Sequence, residues 1–214
     1  MSKYLHANNP IYIDGTDIPK NKLGIADADL LHEIEAQLLK DAYAVFLDEL
    51  SPETIFDKAY FRSLHRRTFE SLYAWAGEYR NLNMAKGESR FCQAAYLHDE
   101  SARIFGQLAK EGYLRGVAAG ARETFAERLA WYTCELIALH PFFELNGRIT
   151  RLFFDMVAVA NGYELIDYTQ AAAGKKTNAY IQGSIACVQL ADCHPMQAII
   201  LNGLHRHDSQ ESTS

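Results

Sequence analysis

What this chain does not contain narrows it first. It has no excess of positive charge: 21 Lys and Arg stand against 27 Asp and Glu, a formal net charge of −6. Proteins that coat nucleic acid carry a basic surface, so that class is set aside, although a local basic pocket is not. No stretch reaches the ~20 apolar residues that a membrane-crossing helix needs. After Met1 come polar residues and Pro10 rather than an apolar run, so no signal peptide is expected. Only four cysteines occur, Cys92, Cys134, Cys187 and Cys193, with no CxxC pair and no zinc-knuckle spacing. They are expected as reduced thiols of a cytoplasmic protein. No internal repeat is visible.

What is present is enough to build a core. Of 214 residues, 49% are hydrophobic and 22% charged, which suits one globular domain. Residues 1–25 are rich in turn formers (Asn8-Asn9-Pro10, Asp14-Gly15-Thr16, Pro19-Lys20-Asn21) and read as an irregular arm. Apolar residues then recur at spacings of three and four over 27–50, with Asp27 as N-cap, and again over 54–73, where Ser51-Pro52 is expected to open the helix. Between residues 77 and 91 the period lapses. Residues 79–84 read as a short strand, Lys86-Gly87-Glu88-Ser89 as a turn, and Arg90-Phe91 as the start of a returning strand. Helices are expected again over 97–110, 123–139, 146–160, 178–190 and 196–201, with Asn161-Gly162 closing the 146–160 helix. The expectation is an all-α bundle over 26–204 carrying one small β-hairpin, with a flexible polar tail over 205–214.

The chemistry lies in His140-Pro141-Phe142-Phe143-Glu144-Leu145-Asn146-Gly147-Arg148-Ile149-Thr150-Arg151, between two apolar helices. Pro141 cannot continue the first helix, so the chain must turn. Asn146 and Gly147 open the next helix, whose first N–H groups and positive dipole end suit a phosphate. Arg148 and Arg151, three apart, share a helix face near that end and can fork onto phosphate oxygens. Glu144 can supply the carboxylate that the Mg²⁺ of a nucleotide needs. His140 can supply a base near neutral pH. These are the parts that phosphate transfer chemistry requires.

The stretch resembles the signature of the Fic family, His-Pro-Phe-x-Asp/Glu-Gly-Asn-Gly-Arg-x-x-Arg, at His140, Pro141, Phe142, Glu144, Asn146, Gly147, Arg148 and Arg151. The resemblance extends further. Gly15-Thr16 with Asn21-Lys22-Leu23-Gly24 looks like the N-terminal arm of many bacterial members. Trp75-Ala76-Gly77-Glu78-Tyr79-Arg80 looks like the segment before the family's flap, and Lys86-Gly87 and Phe91 fall where the flap hairpin is expected. The resemblance implies a mainly helical protein adenylyltransferase, with ATP as substrate and Mg²⁺ as cofactor, acting on a Ser, Thr or Tyr hydroxyl of a target protein. It assigns His140 as the base, Glu144 to Mg²⁺, and Asn146, Gly147 and Arg148 to the ATP phosphates, with Arg151 on the γ-phosphate. A flap carrying Met84, Lys86 and Gly87 would pair with target backbone as an added strand.

One position departs from the signature: Leu145 stands where the family has glycine. Glycine permits φ > 0 and close phosphate approach, and leucine resists the first and crowds the second. The related Doc branch, which transfers phosphate instead of AMP, also lacks that glycine. It lacks the second one too, which Gly147 retains here, so AMP transfer is favoured. A Doc-like kinase or a transferase with another nucleotide donor, and an idle Fic-like scaffold, are the alternatives. No Ser or Thr has Glu four residues later, the family's inhibitory pattern, so any inhibition is expected from a separate small antitoxin protein, the alternatives being a variant motif or no inhibition at all. Simpler readings cover other residues: Trp75 as core packing, Lys86 as a turn charge, and His194, His205 and His207 as surface or tail residues. No third ligand joins His140 and Glu144, which argues against zinc.

Overall fold

The computed structural model describes residues 11–118, 120–174 and 178–207. Nine α-helices follow one another among them: α1 Ala28–Asp48, α2 Lys58–Phe69, α3 Leu97–Lys110, α4 Arg115–Ala118, α5 Arg122–Leu139, α6 Asn146–Ala160, α7 Thr169–Ala172, α8 Ala179–Gln189 and α9 His194–Gly203. A two-stranded antiparallel hairpin, β1 Ala85–Lys86 and β2 Ser89–Arg90, stands between α2 and α3. The all-α expectation with one hairpin holds. No described helix is long and apolar enough to cross a membrane.

Helix α5 is the axis, packed by α3, α6, α8 and α9. It buries ten of its eighteen residues, Phe125, Leu129, Tyr132, Leu136 and Leu139 among them, on the sides that face its neighbours. Helix α6 buries ten of its fifteen residues. Phe153 at its middle takes edge-to-face contacts from Phe56, Phe61, Phe105 and Phe154.

Local capping sets most boundaries. Asp27 caps α1 by accepting from the Leu30 N–H at 2.8 Å, and Asn178 caps α8 by accepting from Ile181 at 2.9 Å. Gly162, at φ +81°, turns the chain after α6. Helix α2 departs from expectation. Ser51 and Thr54 close a local turn instead of a helix, and Asp57 is the true cap, accepting from Tyr60 N–H at 2.8 Å. The core decides this: Phe56 before the cap and Phe61 in the first turn both pack on Phe153. Residues 79–84 form no strand. Arg80 N–H donates to the Pro141 carbonyl at 2.8 Å, the Met84 carbonyl accepts from Phe91 N–H at 3.2 Å, and the paired strands of the hairpin begin at Ala85.

Two further expectations are corrected. Cys134 and Cys187 are joined as a disulfide rather than standing as free thiols, while Cys92 and Cys193 are free. The pair is 53 residues apart in sequence, and only the packing of α5 on α8 brings the Cα atoms to 5.0 Å. The start of the expected tail is bound: Glu164 N–H donates to the His205 carbonyl and His207 N–H to that of Gly162. Residues 208–214 lie outside the described residues, as do residues 1–10 of the arm.

Candidate active site

The loop 140–145 is bounded by two non-glycine residues in left-handed conformation. His140 ends α5 at φ 46°, ψ 57°, its N–H on the Leu136 carbonyl at 3.0 Å. Histidine is among the residues that visit this region more readily. Leu145 precedes α6 at φ 68°, ψ 9°. It adopts a left-handed conformation that glycine takes without strain, and its side chain, 8% exposed, joins the main core while also bordering the cavity described below. Burial holds a backbone state that costs leucine ~1–2 kcal/mol.

The loop is fixed from behind, group by group. Arg80, 2% exposed, spreads its guanidinium over four carbonyls: Nε to His140 (2.8 Å), Nη1 to Leu82 (2.6 Å), Nη2 to Cys92 (2.5 Å) and Leu139 (3.3 Å). It therefore ties the loop to the hairpin. Asn146 closes the loop on itself, its Oδ1 accepting from Phe142 N–H at 2.8 Å and its Nδ2 donating to the Phe142 carbonyl at 2.7 Å. The Asn146 side chain is thus a brace for the loop. His65 holds the Glu144 carbonyl at 3.2 Å through Nε2, while Nδ1 accepts from Gly77 N–H at 3.0 Å. Since Gly77 donates to Nδ1, the proton sits on Nε2. Burial pushes His65 down to about 4, so the ring is neutral. Gly77 (φ +76°) is required there, because a Cβ would lie 2.6 Å from that of Arg66.

In front of this scaffold lies a cavity of about 1020 Å³. His140, Glu144, Asn146, Gly147, Arg148 and Arg151 border it together, joined by Lys86 and Gly87 of the hairpin, Glu35 of α1, and the Ile181, Ile185 and Val188 stripe of α8. Among the described residues, the N–H groups of Asn146 and Gly147 take no backbone partner, and Gly147 has open space where a Cβ would stand. The imidazole of His140 lies flat on the ring of Phe91, centroids 3.7 Å apart at 11°. Glu144, 4% exposed, accepts the Tyr12 hydroxyl at 2.7 Å. Arg148 Nη1 pairs with Glu35 at 2.8 Å, and Glu35 also accepts from the Tyr73 hydroxyl. The hairpin is anchored to α8 by Gln189 Nε2 donating to Ser89 Oγ at 3.0 Å.

Of the expected site residues, Met84 alone lies away from the cavity. It is 3% exposed and packs with Ile11, Tyr12 and Phe143 beneath the hairpin, so it supports the flap and offers no face to a partner. Trp75 is core packing as expected, stacked on Tyr73 with centroids 4.5 Å apart. Sequence reasoning gave no role to Arg80, His65 and Glu35, and did not foresee the Phe91 stack on His140. Arg80 stood inside a quoted segment, but nothing local marks which carbonyls it reaches.

This arrangement belongs to a known class. Residues 55–158 match the model of the Fic/DOC family. A probable protein adenylyltransferase, y4lH, of Sinorhizobium fredii is 36% identical over 165 residues, covering 77% of this chain and 83% of that protein. The probable protein adenylyltransferase Fic of Escherichia coli is 32% identical, covering 76% and 78%. The chain belongs to the Fic/DOC family. The N-terminal Fic domain of a VirB-translocated Bep effector of Bartonella quintana, solved with bound ADP, superposes with a TM-score of 0.79 at 25% identity, covering 95% of this chain and 98% of that one.

Proposed function

We propose that this chain is a protein adenylyltransferase that moves AMP from ATP to a Ser, Thr or Tyr hydroxyl of a target protein. One observation carries the reading: an imidazole, a buried carboxylate, an open helix N-terminus and two guanidinium groups border a single cavity. Relatives named as adenylyltransferases share more than 30% of their residues with it over most of both chains.

The cavity has two chemical halves, as a nucleotide does. The N–H groups of Asn146 and Gly147, with Arg148 and Arg151, take the phosphates. The apolar stripe Ile181, Ile185 and Val188 offers the base a dry surface. Glu144 is one buried carboxylate, and no group of three or more His, Cys, Asp or Glu that could hold a metal occurs among the described residues. A single carboxylate fits Mg²⁺ that arrives on the nucleotide, because that ion keeps waters and phosphates as its other ligands. When bound, Mg²⁺ neutralises charge on the phosphates.

His140 takes the proton of the target hydroxyl. The hydroxyl oxygen then bonds the α-phosphorus, the bond from that phosphorus to the bridging oxygen of the β-phosphate breaks, and pyrophosphate leaves. Phe91 and the backbone grip of Arg80 hold the imidazole in place, so little motion is needed at the moment of transfer. The short hairpin offers a strand edge to the target, with Lys86 and Gly87 beside the cavity. If the activity is held off by an inhibitory Glu, a separate small antitoxin-like protein is the proposed source, since no Ser/Thr-x-x-x-Glu segment occurs in the given sequence.

ATP labelled at either phosphate tests this in cell lysate. Label at the α-phosphate is expected on a target protein and label at the γ-phosphate is not. The reverse pattern would establish a Doc-like kinase, and no label from either would favour an idle scaffold.

A further inference from the structure

The two arginines of the loop are held in opposite ways. Arg148 is ion-paired with Glu35. Arg151 has neither a hydrogen bond nor an ion pair among the described residues, although it faces the same cavity. Its guanidinium instead rests against two aromatic rings, Cζ lying 5.1 Å from the Tyr180 centroid and 5.8 Å from that of Tyr168. The rings meet edge to face, centroids 5.5 Å apart at 87°, which makes a fixed corner. The carboxyl one helical turn along, Asp155, is occupied elsewhere: it accepts the Tyr43 hydroxyl at 2.5 Å and the Ile166 N–H at 3.2 Å. Asp155 thus makes no ion pair with Arg151, and the groups against which the cation rests are uncharged rings. Rings can hold a guanidinium in place without cancelling its charge, whereas a carboxylate cannot.

We propose that Tyr168 and Tyr180 are positioning residues, an aromatic seat that holds Arg151 with its full charge turned to the outer phosphates of the nucleotide. This rests on the reading of Arg151 as a phosphate ligand. The rings carry the role and the hydroxyls do not, since both hydroxyls are buried with no hydrogen-bond partner. Phenylalanine should therefore serve at either position. Leucine would fill much of the volume but present no π face.

The test is a calorimetric comparison of Mg-ATP with AMP, which lacks the outer phosphates, on the full chain. A general loss of fold would weaken both ligands, whereas a misplaced Arg151 weakens ATP alone. Arg151→Met is expected to lower the ratio of ATP to AMP affinity by about tenfold or more. Tyr168→Phe and Tyr180→Phe should stay within about twofold of wild type, and Tyr168→Leu and Tyr180→Leu should each lower the ratio by about fivefold with AMP binding unchanged. Arg151→Lys guards against leucine variants that fail to fold. It keeps the charge but not the planar stack, and should also lower the ratio. If Arg151→Met leaves the ratio intact, the phosphate reading of Arg151 fails and the seat with it. If Arg151→Met lowers it while the leucine variants and Arg151→Lys do not, the seat alone is overturned.

Discussion

Leu145 gives the most discriminating test of the loop's physics, because two opposing terms meet at one residue. Its backbone sits at φ 68°, which costs a leucine ~1–2 kcal/mol relative to an ordinary conformation. Its side chain is 8% exposed and packs in the main core, where truncating leucine to alanine costs ~2–5 kcal/mol. Leu145→Ala loses the packing and keeps most of the backbone strain. Leu145→Gly loses the packing and relieves the strain, against a glycine entropy cost of ~0.5–1 kcal/mol. Both variants should fall below wild type, and the glycine variant should equal or exceed the alanine variant by up to ~1 kcal/mol, the reverse of the usual order. For a chain of this size a net loss of ~2–3 kcal/mol lowers Tm by roughly 5–10 °C. Thermal unfolding followed by circular dichroism reads this directly, and transfer activity below the transition should persist in Leu145→Gly. A glycine variant melting above wild type would show that the side chain is not packed. An alanine variant clearly more stable than the glycine one would show that the left-handed turn is not populated.

Other expectations follow from the same contacts. Arg80→Met leaves four carbonyls without their donor and should cost ~4 kcal/mol or more in urea denaturation, and a loss under ~1 kcal/mol would contradict the grip described. Glu35→Gln keeps the size and the Tyr73 contact but releases the charge of Arg148. ADP should then bind roughly three- to tenfold tighter, and weaker binding would show that the ion pair positions Arg148 for the nucleotide. Two buried groups pull stability in opposite directions with pH. His65, lowered to about 4 by burial, favours the fold above pH ~6.5 and withdraws that support as pH falls toward 4. Asp155, raised to about 7 by burial, gives its contribution below its usual value near 3.8 and loses it as pH rises through 7. Asp155→Asn should unmask His65, so that stability drops by up to ~3 kcal/mol between pH 6.5 and 4, and a flat profile would refute the assignment.

How much could be read from sequence followed the range of the forces involved. Helices α3 and α6 begin and end where local periodicity and end signals place them, over 97–110 and 146–160. The start of α2 moved because Phe56 and Phe61 must reach Phe153, nearly a hundred residues away, and no local signal outranks that packing. The flap was located to within a few residues, but strands of two residues carry too little alternation to reveal that Met84 faces inward. Within the site, the signature named the groups that face the cavity. The groups that hold them came only with the fold: Arg80 on four carbonyls, His65 on the Glu144 carbonyl, and Glu35 on Arg148. The disulfide stayed hidden for the same reason, since helix adjacency is not written in cysteine spacing.

On the proposed reading, the loop holds the nucleotide while His140 only moves a proton. Titration of Mg-ATP into His140→Ala, paired with transfer of α-phosphate label by the same preparation, tests it most directly. The expected result is affinity within about twofold of wild type with transfer reduced by a factor of ~10²–10⁴ or more. Affinity lost along with transfer, or transfer retained at the wild-type rate, would contradict the claim.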